Sequence, residues 1–418
     1  MMDCQALPRR SFLRHGCGAC AGFAALLGGQ NLWAQSDRAT GSQTTAAAPA
    51  ASAALPTTVP PRFARPASDT DEGGLWAQMD REETRLRRSP LLVRDASLAK
   101  LLQNMLCRLT GEHCPDVRIH VVRTPLFNAS MAPNGMLQIW SGLLLRMENE
   151  AQLAAVVGHE LGHYLERHSL EQLRDLKNRA AFAQFLGMFG AVGALGQLDM
   201  LAGMFAFSRE HETRADRLGL LLMKRAGYPA NQAATVWDNL LGELKITGGE
   251  QAGKRSPMFA THPPVENRRD ELLRLAAQTP GPDGEAGDAG AQAWAEVIAP
   301  LRLDWIHDEM RRGQFEESLV LFSRMLARRE DDLLARYARG EVYRLRAGKD
   351  DAQRALHDLT LAESKPGAPA EVFRSLGLLH RSREDADATK QAFTKYLAAA
   401  PQAADASLIQ HYLSEIKP

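Results

Sequence analysis

A run of five residues, His159-Glu160-Leu161-Gly162-His163, constrains this chain more than any other feature of its sequence. Residues four apart lie on one face of a helix, one turn from each other, so two imidazoles at this spacing can bind one cation. Imidazole nitrogen suits Zn²⁺, and a carboxylate as third ligand leaves the fourth tetrahedral position free. Glu160 lies beside the first histidine and can reach that free position rather than the metal. The run therefore predicts a zinc hydrolase.

The residues around this run predict a helix that packs closely against a second one. The helix has an acidic start at Glu150, and apolar residues follow at helical spacing. Gly158 and Gly162 are poor helix formers, so we expect them to allow close backbone packing around a site. A later helical segment carries Glu212 and Asp216 on one face, four positions apart. That segment is the natural source of a third ligand.

Three blocks of the sequence resemble the gluzincin peptidases of the HtpX and CAAX-prenyl-protease kind. They are residues 149–168, 208–228 and 261–268, with a looser fourth block at residues 128–144. The resemblance covers residues 76–278 and implies an α+β, mostly helical, zincin-like peptidase domain.

The resemblance also implies a role for each site residue. His159, His163 and Glu212 would bind one Zn²⁺ per chain, and Glu160 would be the general base. Asp216 would accept a hydrogen bond from a ligand histidine and fix its tautomer.

The family's Thr-His-Pro block places His262 near the metal as a second candidate catalytic residue. There it would either hydrogen-bond the oxyanion or cap the zinc as an extra ligand in a latent state. A surface histidine without a direct role is the third alternative. The sequence leaves the three open.

Residues 135–140 follow an Asn-Gly turn and predict a short strand. An extended substrate could add to the edge of such a strand by main-chain hydrogen bonds. A core strand without contact to substrate is an equal alternative. Residues 128–135, which come before this strand, differ from the family's usual motif Asn-Ala-Phe-Ala-x-Pro-Gly-Gly.

The charge balance of the chain argues against a nucleic-acid partner. Lys+Arg 50 balances Asp+Glu 50, so nothing indicates nucleic acid. The chain is rich in Ala, Leu and Arg and has 6% aromatic residues, which favours a mostly helical protein.

The N-terminal residues predict export to the periplasm. Residues 1–34 have the pattern of an export signal peptide, with a twin-arginine-like start at Arg9 and Arg10 and an apolar run behind it. Two arginines also occur in general secretory signals, so the export route stays open. Residues 35–75 are rich in Ala, Thr, Pro and Ser and predict a disordered spacer.

Two cysteines remain once the signal is removed, Cys107 and Cys114. In an oxidising compartment a pair that brackets a turn predicts a disulfide. A zinc site that includes His113 is the alternative.

Residues 180–207 form a long apolar stretch that contains only one charge, Asp199. A single membrane span here would separate Glu212 from the two histidines by a bilayer. We therefore predict a helical hairpin that is buried or touches the membrane surface, with an ordinary core segment as the alternative.

The C-terminal part predicts helical repeats. After a linker at residues 279–297, residues 298–418 contain turn segments that recur at a step of 35 from Gly313 to Gly348. This spacing resembles tetratricopeptide repeats, all-α helix pairs of about 34 residues that form a groove for another chain. A generic helical bundle is the alternative.

Two functions are consistent with these features. The resemblance implies a periplasmic zinc endopeptidase that removes unfolded or misassembled outer-membrane proteins, with the repeats contacting substrate or the β-barrel assembly machinery. The alternative is a chaperone or adaptor whose metal site is latent. An exopeptidase would need a charge cluster that binds a chain terminus, and none is obvious.

Overall fold

The computed structural model describes residues 54–177, 207–246, 258, 261–262, 268–278 and 289–416. Residues 54–418 form one compact unit, to which the following description refers. The predicted signal peptide lies outside the described residues, as does the predicted hairpin at 180–207 except for its last residue.

Helices make up most of the described chain, as the sequence predicts. The peptidase part contains α1 (Asp71–Arg87), α2 (Ala96–Thr110), a 3₁₀ helix (Gly111–Asp116), β1 (Arg118–Val122), β2 (Ala129–Met131), β3 (Met136–Trp140), α3 (Ser141–Arg146), α4 (Glu150–Leu165), α5 (His168–Lys177), α6 (Arg209–Arg225), α7 (Gln232–Lys245) and α8 (Arg268–Ala277). The C-terminal part contains α9 (Ala291–Arg311), α10 (Phe315–Arg328), α11 (Leu333–Arg346), α12 (Asp351–Glu363), α13 (Ala370–Ser382), α14 (Ala386–Ala399) and α15 (Ala406–Glu415).

The three strands form one small mixed sheet in the order β1-β3-β2. β3 pairs in parallel with β1 and antiparallel with β2, so it is the central strand. The predicted strand at 135–140 is therefore present, but its proposed use as an edge for substrate is wrong, because both of its sides are already hydrogen-bonded. Leu137 and Ile139 are fully buried, which agrees with the alternative of a core strand.

α4 lies at the centre of the peptidase part. It packs against α2, α6, α7 and β2, and its buried residues belong to one large apolar core. A helix that is surrounded on several sides holds its side chains in fixed rotamers, which suits a metal-binding element.

The end of the predicted disordered spacer is ordered in the structure. Leu55, Val59 and Phe63 pack against the core, and the Phe63 ring lies 5.0 Å from the ring of Tyr164. The prediction of disorder is therefore wrong from residue 54 onward. These three large apolar side chains gain burial that the surrounding Ala, Pro and Ser residues cannot provide.

The C-terminal helices continue the core of the peptidase part. α9 begins at Ala291, within the segment predicted as a linker, and packs on α2, α3 and α4. Trp294 is buried, and its indole N–H donates to the Met147 carbonyl over 2.9 Å. From α10 to α14 each helix packs against the next one in the chain.

Among the described residues, no helix has both the length and the apolar character needed to cross a bilayer.

Candidate metal centre

α4 carries both histidines of the pentad on one buried face. The helix is capped by Asn149, whose side chain accepts a hydrogen bond from the Gln152 backbone N–H over 2.8 Å. The Nε2 atoms of His159 and His163 lie 3.0 Å apart, and both side chains are buried. The predicted spacing thus brings two imidazole nitrogens to one point.

Glycines bring α4 and α6 unusually close together. A Cβ on Gly162 would lie 2.7 Å from the Cα and O atoms of Ala215 in α6. A Cβ on Gly219 of α6 would lie 2.9 Å from the backbone of Gly158. The close packing expected from the two α4 glycines is confirmed, and it brings the start of α6 next to the histidines.

Glu212 completes the cluster from the first turn of α6. Ser208 caps this helix by accepting a hydrogen bond from the His211 backbone N–H over 3.1 Å. The carboxylate of Glu212 lies 3.5 Å from His159 Nε2 and 3.4 Å from His163 Nε2. Glu210, two residues earlier, is exposed.

The cluster fits a zinc ion by its chemistry. One ligand atom from each of His159, His163, Glu212 and His262 lies within 4.8 Å of the others, and all four residues are buried. Two or three imidazole nitrogens with one carboxylate oxygen are a typical zinc donor set.

Two charged side chains hold His159 and Glu212 from behind. Asp216 accepts from His159 Nδ1 over 2.8 Å, as the resemblance implied. Arg268 donates to Glu212 Oε2 over 3.0 Å and to Asp216 over 2.6 Å, and its guanidinium lies 3.8 Å from the centre of the Trp237 ring. One buried cation thus balances two buried carboxylates.

His163 has different neighbours. Its Nδ1 lies 2.9 Å from Nδ1 of His168, and Phe207 stacks on its ring at 3.8 Å. Burial lowers the pKa of His168 to about 3.

His262 lies at the fourth side of the cluster, and its backbone N–H donates to the Met258 carbonyl over 2.8 Å. Its Nδ1 lies 2.9 Å from Glu212 Oε1 and 3.3 Å from His159 Nε2. It is buried, which contradicts the alternative of a surface histidine. In this conformation His262 belongs to the same group of possible ligand atoms as His159, His163 and Glu212.

Glu160 faces the same space. It is 1% exposed, and its Oε1 lies 3.4 Å from His262 Nε2 without any hydrogen-bond partner among the described residues. Burial raises the pKa of its carboxyl, although the nearby His262 and His159 oppose this shift. A carboxylate of raised pKa holds a proton more readily, which suits a general base that later acts as an acid.

Sequence reasoning missed Arg268, His168 and Phe207 as parts of the centre. Arg268 and His168 lie in blocks that carry the family resemblance, but neither has a spacing that indicates a role. Phe207 ends the apolar stretch before α6, and its sequence context gives no sign of stacking.

Cys107 and Cys114 form a disulfide between the end of α2 and the 3₁₀ helix. His113 does not join them, because its Nε2 lies 2.9 Å from the Pro60 carbonyl. The alternative of a second zinc site is therefore wrong.

The cluster lies in a part of the chain that matches a known protein family. Residues 93–276 match peptidase family M48. This stretch contains every residue of the cluster, together with Asp216 and Arg268.

Several curated proteins are similar to part of this chain. A mitochondrial metalloendopeptidase OMA1 of Arabidopsis thaliana is 34% identical over 156 residues, 37% of this chain and 30% of its own length. The putative beta-barrel assembly-enhancing protease of Vibrio cholerae is 28% identical over 243 residues, 53% of this chain and 49% of its own length. The beta-barrel assembly-enhancing protease of Escherichia coli K12 is 28% identical over 210 residues, 46% of this chain and 42% of its own length. The chain thus spans less than half the length of each of these relatives.

Proposed function

We propose that this chain, whose residues 93–276 match peptidase family M48, is a zinc metalloendopeptidase. Its proposed substrates are unfolded or misassembled proteins of the cell envelope. The observation that carries the catalytic part of the proposal is the joint burial of His159, His163 and Glu212 beside Glu160, whose Oε1 has no hydrogen-bond partner among the described residues.

Zinc, when bound by the two histidines and Glu212, polarises a peptide carbonyl and makes water a better nucleophile. Glu160 takes the proton of the attacking water at Oε1 and later delivers it to the leaving amine. Arg268 and Asp216 keep Glu212 and His159 in place during these steps. His262, once it moves off the ligand position, can donate a hydrogen bond to the carbonyl oxygen.

The position of His262 supports a resting state in which it occupies the fourth ligand site. Its Nδ1 lies 2.9 Å from Glu212 Oε1, and its ligand atom lies within 4.8 Å of those of His159, His163 and Glu212. The same observation favours the second candidate function, a chaperone or adaptor whose metal site stays latent. The two candidate functions differ in the behaviour of His262. In the endopeptidase it moves away from the metal position, whereas in the adaptor it stays there.

β2 is the strand that could bind an extended substrate. Among the described residues it pairs only with β3, so its other edge is free for main-chain hydrogen bonds. β2 also packs against α4, which carries His159 and Glu160. A peptide on this edge would be selected by its extended backbone rather than by one side chain, which fits unfolded substrates.

We propose the periplasm as the location. The export signal predicted at residues 1–34 and the disulfide between Cys107 and Cys114 support it, because disulfides persist in oxidising compartments. Relatives named for β-barrel assembly agree with this location, whereas the relative from Arabidopsis is mitochondrial by name. Contact of residues 180–207 with the membrane surface belongs to the same proposal.

The C-terminal helices would contact the β-barrel assembly machinery or the substrate. Two helix pairs share one packing detail: Gly340 of α11 lies under Leu359 of α12, and Gly377 of α13 lies under Phe393 of α14. Leu359 and Phe393 are 34 positions apart (393 − 359), and the two glycines are 37 apart (377 − 340). This supports tetratricopeptide-like repeats, whose period is about 34 residues.

The test of catalysis uses two glutamate substitutions. Glu160→Gln should retain one zinc per chain and lose casein cleavage by at least about 100-fold, because the proton acceptor is gone while the ligands remain. Glu210→Gln is the matched control, an exposed glutamate beside a ligand, and should cleave like the wild type. Zinc content by atomic absorption and cleavage of labelled casein are the measurements.

Full activity of Glu160→Gln would contradict the assignment. A zinc-loaded wild type that cleaves no unfolded protein, together with a His262→Ala variant that does, would show a capped enzyme. A zinc-loaded wild type that cleaves no unfolded protein under any condition tested would favour the adaptor, whereas inactivity of His262→Ala alone would not, because this variant also lacks the donor to the carbonyl oxygen. Capture with Glu160→Gln in the native host, compared with Glu210→Gln, then tests whether the retained proteins are outer-membrane proteins.

A further inference from the structure

A second group of side chains lies directly behind His163 and has no role in the chemistry above. His168, at the start of α5, is fully buried, and His211 stacks on its ring with centroids 4.4 Å apart and planes at 20°. His211 Nε2 lies 2.9 Å from Glu171 Oε2. The group thus connects α5 to the first turn of α6.

His168, Glu171 and His211 are close enough to hold a metal ion, but their geometry opposes it. The lone pair of an imidazole nitrogen lies in the plane of the ring, and two nearly parallel stacked rings offer no shared in-plane position. Arg214 also lies 3.3 Å from Glu171 Oε2 and balances its charge. A second metal therefore does not explain the group.

The contact between His163 and His168 has one consistent proton arrangement when His163 binds zinc. His163 Nε2 faces Glu212 and His159, so its lone pair is used there and the proton is on Nδ1. That N–H points at His168 Nδ1 over 2.9 Å, and Nδ1 of His168 must therefore be the acceptor. The remaining proton of His168 is on Nε2, which is buried without a hydrogen-bond partner among the described residues.

We infer that His168 is a positioning residue, which accepts the His163 Nδ1–H and so fixes the tautomer and ring orientation of this zinc ligand. The inference rests on the proposed assignment of His163 as a ligand. Ligand histidines commonly donate their second N–H to such an acceptor, and loss of the acceptor weakens metal binding.

The two ligand histidines are thus supported by different chemistry. His159 donates to the carboxylate of Asp216, whereas His163 donates to an uncharged imidazole. A second carboxylate at position 168 would add a buried negative charge that Arg268, already shared by Glu212 and Asp216, does not reach. An imidazole acceptor orients His163 without that added charge.

The experiment compares two substitutions at position 168 in the full chain. His168→Phe keeps the ring and removes the acceptor, whereas His168→Gln keeps an acceptor oxygen. We expect His168→Phe to raise the dissociation constant for Zn²⁺, measured by chelator competition, about 10- to 100-fold. His168→Gln should stay within a few-fold of the wild type, and His211→Phe, the matched ring control, should leave zinc affinity unchanged.

An NMR measurement on the wild-type protein tests the same hydrogen bond without any substitution. In zinc-loaded wild type with ¹⁵N-labelled histidine, the His163 Nδ1–H should show a scalar coupling to His168 Nδ1 across the hydrogen bond. Wild-type zinc affinity in His168→Phe, equal weakening in His168→Gln, or an unprotonated His163 Nδ1 would overturn the inference. His163→Ala separates the two levels: if it still binds zinc like the wild type, the ligand assignment itself fails.

Discussion

Some buried charged side chains of the described residues are held by several partners at once. Glu83 of α1 is the clearest example outside the metal centre. It accepts hydrogen bonds from Arg118 over 2.6 Å and from Arg87 over 2.7 Å, and it lies 2.9 Å from His120 Nε2. Through Arg118 and His120 it attaches α1 to β1, the outer strand of the sheet.

The ionisation of Glu83 should make stability depend on pH. Burial alone would raise the pKa of its carboxyl, but the hydrogen bonds from Arg118 and His120 outweigh burial and lower it. A lowered pKa in the folded state contributes stability above the unfolded value of about 4.3 and loses it as pH falls below that value. Glu83→Gln should therefore destabilise the protein at pH 7, and the difference from wild type should shrink towards pH 3.

Urea denaturation of metal-free protein at both pH values checks this, because zinc loss in acid then plays no part. The exposed Glu112 provides the control, and Glu112→Gln should match the wild type at both pH values. A destabilisation by Glu83→Gln that is equal at pH 7 and pH 3 would mean that its ionisation is irrelevant.

The two helices of the metal centre show which elements the sequence determines locally. The histidine spacing of α4, its acidic start at Glu150 and its glycines are local features, and each predicted what the structure has. Glu212 was identified by family resemblance, and its burial beside an exposed Glu210 agrees with that choice.

Other parts of the site depend on contacts between distant segments, which no local pattern encodes. Arg268 reaches His159 and Asp216 across 109 and 52 positions of the chain. The sequence predicts a strand at 135–140, but a turn signal does not determine the position of that strand in the sheet. The order depends on which strands pair once distant segments of the chain come together. In the structure β3 pairs on both sides and is the central strand.

The contact between α4 and α6 should tolerate no side chain at position 162. Gly162→Ala would place a methyl group 2.7 Å from the backbone of Ala215, so the helices must separate. We expect a loss of about 1–3 kcal/mol in the free energy of unfolding, as is typical of overpacking. Zinc affinity should also fall, because Glu212 lies one turn before Ala215 on the displaced helix. Denaturant titration and chelator competition measure the two effects.

Gly242 of α7 is the control for this change. A Cβ there meets nothing within 4 Å, so Gly242→Ala removes only backbone freedom and should leave stability unchanged or raise it by up to about 1 kcal/mol. If Gly162→Ala were as stable as Gly242→Ala, the close approach of the helices would not be a requirement of the site.

At the scale of the whole molecule, one continuous apolar core crosses the predicted boundary between the peptidase domain and the repeat domain. One apolar cluster extends from α2 to α14. A buried ion network crosses the same boundary, because Arg146 of α3 donates to Glu243 of α7 over 2.6 Å and to Glu309 of α9 over 3.0 Å. The sequence could not show this, because charged residues at helical spacing usually predict exposed faces.

Arg146→Met tests whether the two parts fold as one unit. The substitution leaves two buried carboxylates with fewer partners, and breaking a buried pair in this way typically costs about 3–5 kcal/mol. Glu243 and Glu309 lie on opposite sides of the predicted boundary. The whole described unit should therefore unfold in a single transition, at a lower temperature than in the wild type. Thermal unfolding followed by circular dichroism and calorimetry is the measurement.

The control lies at the same boundary. Arg123 also pairs with α9, through Asp308 over 2.5 Å, but its side chain is 37% exposed. An exposed pair contributes about 0–1 kcal/mol, so Arg123→Met should shift the midpoint far less than Arg146→Met. Two separate transitions in the Arg146→Met protein, one of them at the wild-type temperature, would instead support independent domains joined by a linker. Equal small shifts in both variants would mean that the buried network does not hold α9 to the peptidase part.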